Sequence, residues 1–161
     1  MTSVRTDPRQ SGRELALAVM CHLESYPPAE HEAAVTLLLN RPPSGDADGE
    51  DVIAAFTRDP PTRAYADELV ALCVARRVEI DELVEDTSRS WRISRMDRVD
   101  RNVVRMATAE LLARPEVPRA AILAEAVRLA GRYGSERSTS FVNGLVEALA
   151  KRIRPPAEAV P

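Results

Sequence analysis

The side chains that could perform chemistry in this chain stand apart from one another. His22 and His31 are single histidines, and Cys21 and Cys73 are isolated cysteines inside helical patterns. Neither pair has the spacing of a metal-ligand set or a redox motif. Asp97 and Asp100 lie three apart on one helical side and could hold a cation. A helix cap followed by a first-turn acid accounts for the same spacing. Residues 46 to 51, Asp-Ala-Asp-Gly-Glu-Asp, open like a calcium loop, but the twelfth position is Thr57 where that loop requires a glutamate. Ser138 and Ser140 have no neighbouring base. A Gly-rich phosphate loop, HExxH and GxSxG are all missing. These observations argue against an enzyme, a bound metal or a cofactor. They leave binding chemistry, and the arginines are the residues to carry it.

The charges are unevenly placed along the 161 residues, whose net charge is −3. Residues 1–87 hold 8 basic and 17 acidic side chains, a balance of −9, whereas residues 88–154 hold 14 basic and 7 acidic, a balance of +7. Glu158 is the remaining acid. Segregation of this kind steers an anionic partner toward one part of a protein. Mutual attraction of the two halves explains the same pattern and stays open at this point. No apolar run approaches bilayer length, and the N-terminus has no apolar signal core, so a cytoplasmic location without a membrane is expected.

The elements that position these charges read as helices. The composition is 45% hydrophobic but only 4% aromatic. Alanine, leucine, glutamate and arginine dominate, which favours helix. Val99, Val103 and Met106 recur at helical spacing, flanked by Ala107 and Leu111, with Asp97 as cap and Arg114-Pro115 as stop. Pro118 restarts a helix that buries Ile122, Ala126, Leu129 and Tyr133 and stops at Gly134. Ser135 or Ser138 caps a last helix with Phe141, Val142, Leu145, Val146, Leu149 and Ile153 on its apolar side. Earlier helices are expected over 11 to 24, with Leu15, Val19 and Leu23 inward, and over 29 to 39, with Ala33, Leu37 and Leu38 inward. Residues 40 to 51 read as a loop and 52 to 56 as a helical turn. A long helix is expected over 62 to 77, with a break at 78 to 80 and a short helix over 81 to 87. Trp91 and Ile93 read as apolar plugs between two bundles. The expected architecture is all-α: a mobile arm at 1–10, a helical bundle at 11–78, a second at 79–154 and a tail at 155–161.

The run IDELVEDTSRSWRISRMDRVDRNVVRMATAELLARPEVP, from Ile80, and the later EAVRLAGRYGSERSTSFVNG resemble the NusB family of transcription antitermination factors. The ordered set is Trp91, Asp100-Arg101, Arg105, Glu110-Leu111, Pro118, Glu125-Ala126, Leu129-Ala130, Gly134 and Phe141-Val142-Asn143-Gly144. The resemblance implies two packed helical bundles of about seven helices in all. It also implies a non-enzymatic, cytoplasmic factor without cofactor. Such a factor binds single-stranded boxA-like RNA together with ribosomal protein S10 and joins the elongating RNA polymerase, notably on ribosomal RNA operons. Some members of the family resemble dimers, so a homodimer is among the implied assemblies.

On that resemblance Arg9 and Arg13 contact RNA phosphates from the first helix. Arg132 and Arg137 do so at the later helix junction, Phe141 stacks on a base and Asn143 reads a base edge. For Phe141 and Asn143, packing and backbone capping are the alternatives. Glu110 is the expected contributor to the protein-partner contact. Arg101 and Arg105 are expected in salt bridges to Glu125 or to helix-one acids, and Gly144 in close helix packing. The chain departs from the family at the arginine-rich start, which reads Arg9-Gln10-Ser11-Gly12-Arg13-Glu14. Cys21 replaces an aromatic, Ala124 an asparagine and Gly131 a lysine, and Arg137 stands where an acid is usual. A module of the same fold that has lost specific RNA recognition is therefore the alternative function.

Overall fold

The structure is a computed structural model, and it describes residues 7–40 and 56–156. Of the loop and helical turn expected over 40 to 56, residues 41–55 lie outside the described residues, and most of the calcium-like run with them, as do 1–6 and 157–161. Among the described residues there are seven α-helices and no strand: α1 Pro8–Leu23, α2 His31–Leu39, α3 Pro60–Ala75, α4 Arg77–Thr87, α5 Arg98–Ala113, α6 Arg119–Tyr133 and α7 Ser138–Ile153. Short 3-10 turns occupy Pro28–Glu30 and Ile93–Arg95. The chain divides into two compact units, Met1–Ala75 and Arg76–Pro161.

In the first unit α1 packs chiefly on α3, and α2 joins both. Helix α1 starts at Pro8, three residues earlier than its apolar pattern suggests. Asp7 accepts a hydrogen bond from the Arg9 amide at 2.9 Å, and Pro8 takes the first helical position, where no N–H is needed. Leu15, Ala16 and Val19 of α1 and Ala66, Leu69 and Val70 of α3 are fully enclosed. Removing a leucine or valine side chain from water contributes about 2 kcal/mol. Gly12 lets the helices touch: a Cβ there would lie 2.8 Å from Tyr65 Cβ and 3.2 Å from the Thr62 carbonyl. The inward face of α2 is His31, Ala34, Leu38 and Leu39, one position round from the expected Ala33, Leu37 and Leu38. Leu37 is 67% exposed. His31 donates from Nε2 to the Tyr26 carbonyl at 3.0 Å, which draws residue 31 into the interior.

In the second unit α5 is the central helix, in contact with α4, α6 and α7. Val103, Met106, Ala107 and Leu111 are buried, as expected from their spacing; Val104 joins them, and Val99, expected inward, is half-buried. Asp97 stands at the N-cap of α5, but its side chain makes no capping bond. The buried polar residues of α5 bond back along the helix: Thr108 Oγ1 donates to the Val104 carbonyl at 2.8 Å and Asn102 Nδ2 to that of Arg98 at 2.9 Å. Arg105 forms a two-pronged pair with Asp81 of α4, at 2.8 and 3.2 Å, a partner the sequence reading did not name. Glu125 binds Arg128, three residues along its own helix.

The C-terminal end of α5 is closed by Arg154. Its guanidinium donates to the carbonyls of Leu111 at 2.9 Å, Val117 at 2.6 Å, Glu110 at 2.9 Å and Arg114 at 2.6 Å. Proline at 115 has no N–H to offer the Leu111 carbonyl four residues back, so the cation meets an acceptor the helix cannot satisfy.

The break expected at 78 to 80 falls instead at Arg76, between α3 and α4. Between α4 and α5, Ile93 and Met96 are buried, but Trp91 is 52% exposed. This corrects the expectation that Trp91 packs as a plug. Its neighbours Arg89, Ser90 and Arg92 are all exposed, so the backbone there follows the surface while Ile93 turns inward.

Candidate nucleic-acid interface

The residues expected to meet RNA divide between the two units. In the first, Arg9 and Arg13 stand four apart on α1 and meet different surroundings. Arg9 is exposed beside its capping aspartate. Arg13 is 6% exposed. Its Nη2 donates to the Tyr65 hydroxyl at 3.2 Å, and its guanidinium lies 5.4 Å from the centre of that ring. A cation held over an aromatic face and bonded to its hydroxyl gains from both contacts when water is excluded. Arg13 therefore serves the α1–α3 contact, and Arg9 is the more accessible of the two.

In the second unit the expected residues cluster at the α6–α7 junction. Arg132 is exposed in the last turn of α6, with its guanidinium 5.5 Å from the Tyr133 ring centre. Arg137 is exposed at the N-cap of α7. Phe141 is half-buried one turn into α7, and Asn143 is exposed. The first turn of α7 contains no acidic residue. The Ser138 amide already donates to the Ser135 carbonyl at 3.1 Å, but the positive end of the helix dipole favours an anion there, as do the two flanking arginines. Glu136, also exposed, is the one acid in the intervening turn.

The turn itself is tightly built. Gly134 ends α6 at φ −93°, so left-handed backbone does not explain the glycine. Close approach does: a Cβ would lie 2.6 Å from the Ala130 carbonyl and against the Ser138 hydroxyl. Ser138 is enclosed, and its Oγ accepts from the Ser135 amide at 2.9 Å. That hydroxyl also bonds Asp100, at the start of α5. Asp100 is 6% exposed, and its Oδ1 has no hydrogen-bond partner. Burial pushes its carboxyl above the ordinary 3.8; the Ser138 hydroxyl pulls the other way, and the Asp97 carboxylate adds a smaller upward push. The acid that joins α5 to α7 thus holds the junction in place from inside.

Two expectations are corrected by burial and contact. Glu110 is 2% exposed, so its carboxylate is enclosed and does not present itself to a protein partner. Its place in the central stripe of α5, between Met106 and Leu111, is what draws it inward. Gly144 does not serve close helix packing, since a Cβ there would meet nothing within 4 Å. It lies on exposed α7 surface next to Asn143, where a missing side chain leaves backbone open to approach. Its signal in the sequence was a glycine in the middle of a helical pattern, which costs about 1 kcal/mol against alanine.

Among the described residues no group of three or more His, Cys, Asp or Glu side chains could hold a metal ion, and no helix is long and apolar enough to cross a membrane. Cys21 and Cys73 are free thiols, the second buried.

Comparison with known proteins places this geometry. The NusB family model matches residues 10–151. The transcription antitermination protein NusB of Sorangium cellulosum is 42% identical over 149 residues, spanning 90% of this chain and 93% of that protein. The protein of the same name from Myxococcus xanthus is 37% identical over 148 residues, spanning 92% and 98%. The solution structure of NusB from Aquifex aeolicus superposes with a TM-score of 0.68 at 26% identity, over 97% of each chain. A family match across nearly the whole described chain, relatives of equal span and the same helical architecture agree: the chain belongs to the NusB family of transcription antitermination factors.

Proposed function

We propose that this chain binds single-stranded boxA-like RNA jointly with ribosomal protein S10 and joins the elongating RNA polymerase in the cytoplasm, notably on ribosomal RNA operons. The observation that carries the reading is the α6–α7 junction. Exposed Arg132 and Arg137 flank a helix N-terminus free of first-turn acids, beside half-buried Phe141 and exposed Asn143. The arginines supply phosphate contacts, the accessible part of the Phe141 ring offers a base a stacking partner, and the Asn143 amide has both a donor and an acceptor for a base edge. Arg9 adds a phosphate contact from the first unit. Arg13 contributes through the positive field and through its hold on Tyr65.

The test is fluorescence anisotropy of labelled boxA-like and scrambled RNA, with and without S10, across salt concentrations. The expected result is preference for the boxA-like strand, strengthened by S10. Arg132→Gln with Arg137→Gln should flatten the salt dependence by about 1.4 in log–log slope, two phosphate contacts at about 0.7 each. Equal, feeble binding to both RNAs with S10 present defeats the proposal.

A second reading has its own support. With Arg13 enclosed against Tyr65, the start of α1 offers RNA less cation than an arginine-rich run would. A module that keeps protein partners and has lost RNA recognition is then expected to capture S10 in a pull-down while showing no specific RNA shift.

A further inference from the structure

The segment between α4 and α5 holds a surface the junction does not use. It borders an open cavity of about 740 Å³ lined by Glu85, Asp86, Arg89, Trp91, Arg92 and Arg95, with two serines. Trp91 is the chain's single tryptophan and is 52% exposed at this rim. Leaving a large apolar ring half in water costs stability, and the fold gives it no interior contact that would explain its exposure. The arginines beside it are all exposed, and among the described residues no hydrogen bond or ion pair engages their guanidinium groups.

The two carboxylates on the rim are occupied. Glu85 Oε1 accepts from the Ile93 amide at 3.3 Å, and Asp86 pairs with Arg152 at 3.3 Å. The amide bond leaves the charge of Glu85 in place, so three arginines face one carboxylate without a cation of its own, and the lining stays net positive. The segment is also held in shape. Ser88 Oγ donates to the Trp91 carbonyl at 2.9 Å, Arg101 Nη1 donates to the Met96 carbonyl at 2.6 Å, and Ile93 and Met96 anchor it from below. A fixed platform loses little freedom when a ligand arrives.

We infer that the Trp91 platform, with Arg89, Arg92 and Arg95, is a further single-stranded RNA site, where a base stacks on the indole and the flanking phosphates meet the arginines. It rests on the RNA-binding reading above but uses none of the same residues. One flat aromatic face with cations on both sides in the chain matches the alternation of base and phosphate along a strand. An acidic peptide would satisfy the arginines, but its apolar side chains would find only the one ring, because every other lining residue is polar or charged.

The single tryptophan makes the site its own reporter. The full chain is titrated with a boxA-like oligoribonucleotide. Indole emission reads this platform, and anisotropy of the same RNA carrying a label reads binding anywhere. The expected result is saturable quenching that follows binding. Trp91→Ala should weaken RNA binding roughly tenfold, since stacking on one aromatic contributes on that scale. Arg92→Gln should make the salt slope about 0.7 shallower. Circular dichroism confirms that both surface variants keep their helices. RNA binding with unchanged emission, or an unchanged affinity of Trp91→Ala, overturns the inference and leaves the proposed function standing. Failure of the RNA to bind at all sinks both. Polyglutamate that quenches the indole and displaces the RNA at matched charge assigns the platform to an acidic protein segment instead.

Discussion

Replacing Arg154 with alanine removes the cation that closes α5, and the cost can be worked from its contacts. Four carbonyls accept from this guanidinium, at 2.6 to 2.9 Å. Two have a second donor: the Arg114 amide bonds the Glu110 carbonyl at 2.9 Å, and the Val117 amide bonds the Arg114 carbonyl at 3.0 Å. The Leu111 and Val117 carbonyls have no such backbone donor among the described contacts, and both residues are 3% exposed. Stranding a buried acceptor costs about 1–3 kcal/mol. Two of them, with some relief from water because Arg154 is only half-buried, give roughly 3 kcal/mol. For a chain of this size that lowers Tm by about 6–12 °C. Arg154→Lys keeps the charge at the helix end but cannot reach four acceptors from one nitrogen, so it should recover about a third of the loss. The assay is thermal and urea denaturation followed by far-ultraviolet circular dichroism. RNA binding at a temperature where all variants are folded is the control, and it should not change. A Tm within about 2 °C of the parent for Arg154→Ala, or full recovery by lysine, would refute the reasoning.

Two more outcomes follow from the same helices. Because burial raises the Asp100 carboxyl above 3.8, the folded state holds its proton more tightly than the unfolded chain. Its contribution to stability is present in full below 3.8 and is lost as pH rises through the higher folded value. Asp100→Asn should therefore be more stable than the parent at neutral pH, with the gap closing as pH falls toward 4, measured by urea denaturation across pH. Gly144→Ala fills open space on α7 and should raise stability by about 1 kcal/mol in the same assay. No change in stability would mean that the α7 backbone at 144 is held by something other than helix propensity.

What the sequence disclosed was what local spacing encodes. The apolar rows of α5, α6 and α7 point to the faces that turn inward, except that Tyr133, expected inside, is 37% exposed, and the prolines mark where those helices stop and restart. The inward face of α2 lies one position from the apolar pattern because His31 is buried through a hydrogen bond to a carbonyl, which such a pattern does not record. Trp91 departs from its pattern for a related reason: aromatic residues usually pack, but exposure is decided by the path of the backbone around buried Ile93. The exposed members of the candidate site, Arg132, Arg137 and Asn143, flank a turn that Gly134 and Ser135 announce. Arg13 and Glu110 were harder, since each is a charged residue drawn inside by its surroundings. The Arg13 partner lies 52 residues away, and the carbonyls that hold Arg154 lie 37 to 44 away. Pairings at that range leave no mark in any local window.

The contact at Gly12 has a consequence for how the first unit displays its charge. Tyr65 does two jobs with one ring: its base presses on the bare backbone at position 12, and its hydroxyl tethers the neighbouring guanidinium. Any side chain placed at 12 would have to wedge that ring aside, and the tether would go with it. A steric change at the smallest residue of α1 would thus be felt as an electrostatic one, turning an inward-held cation toward the solvent.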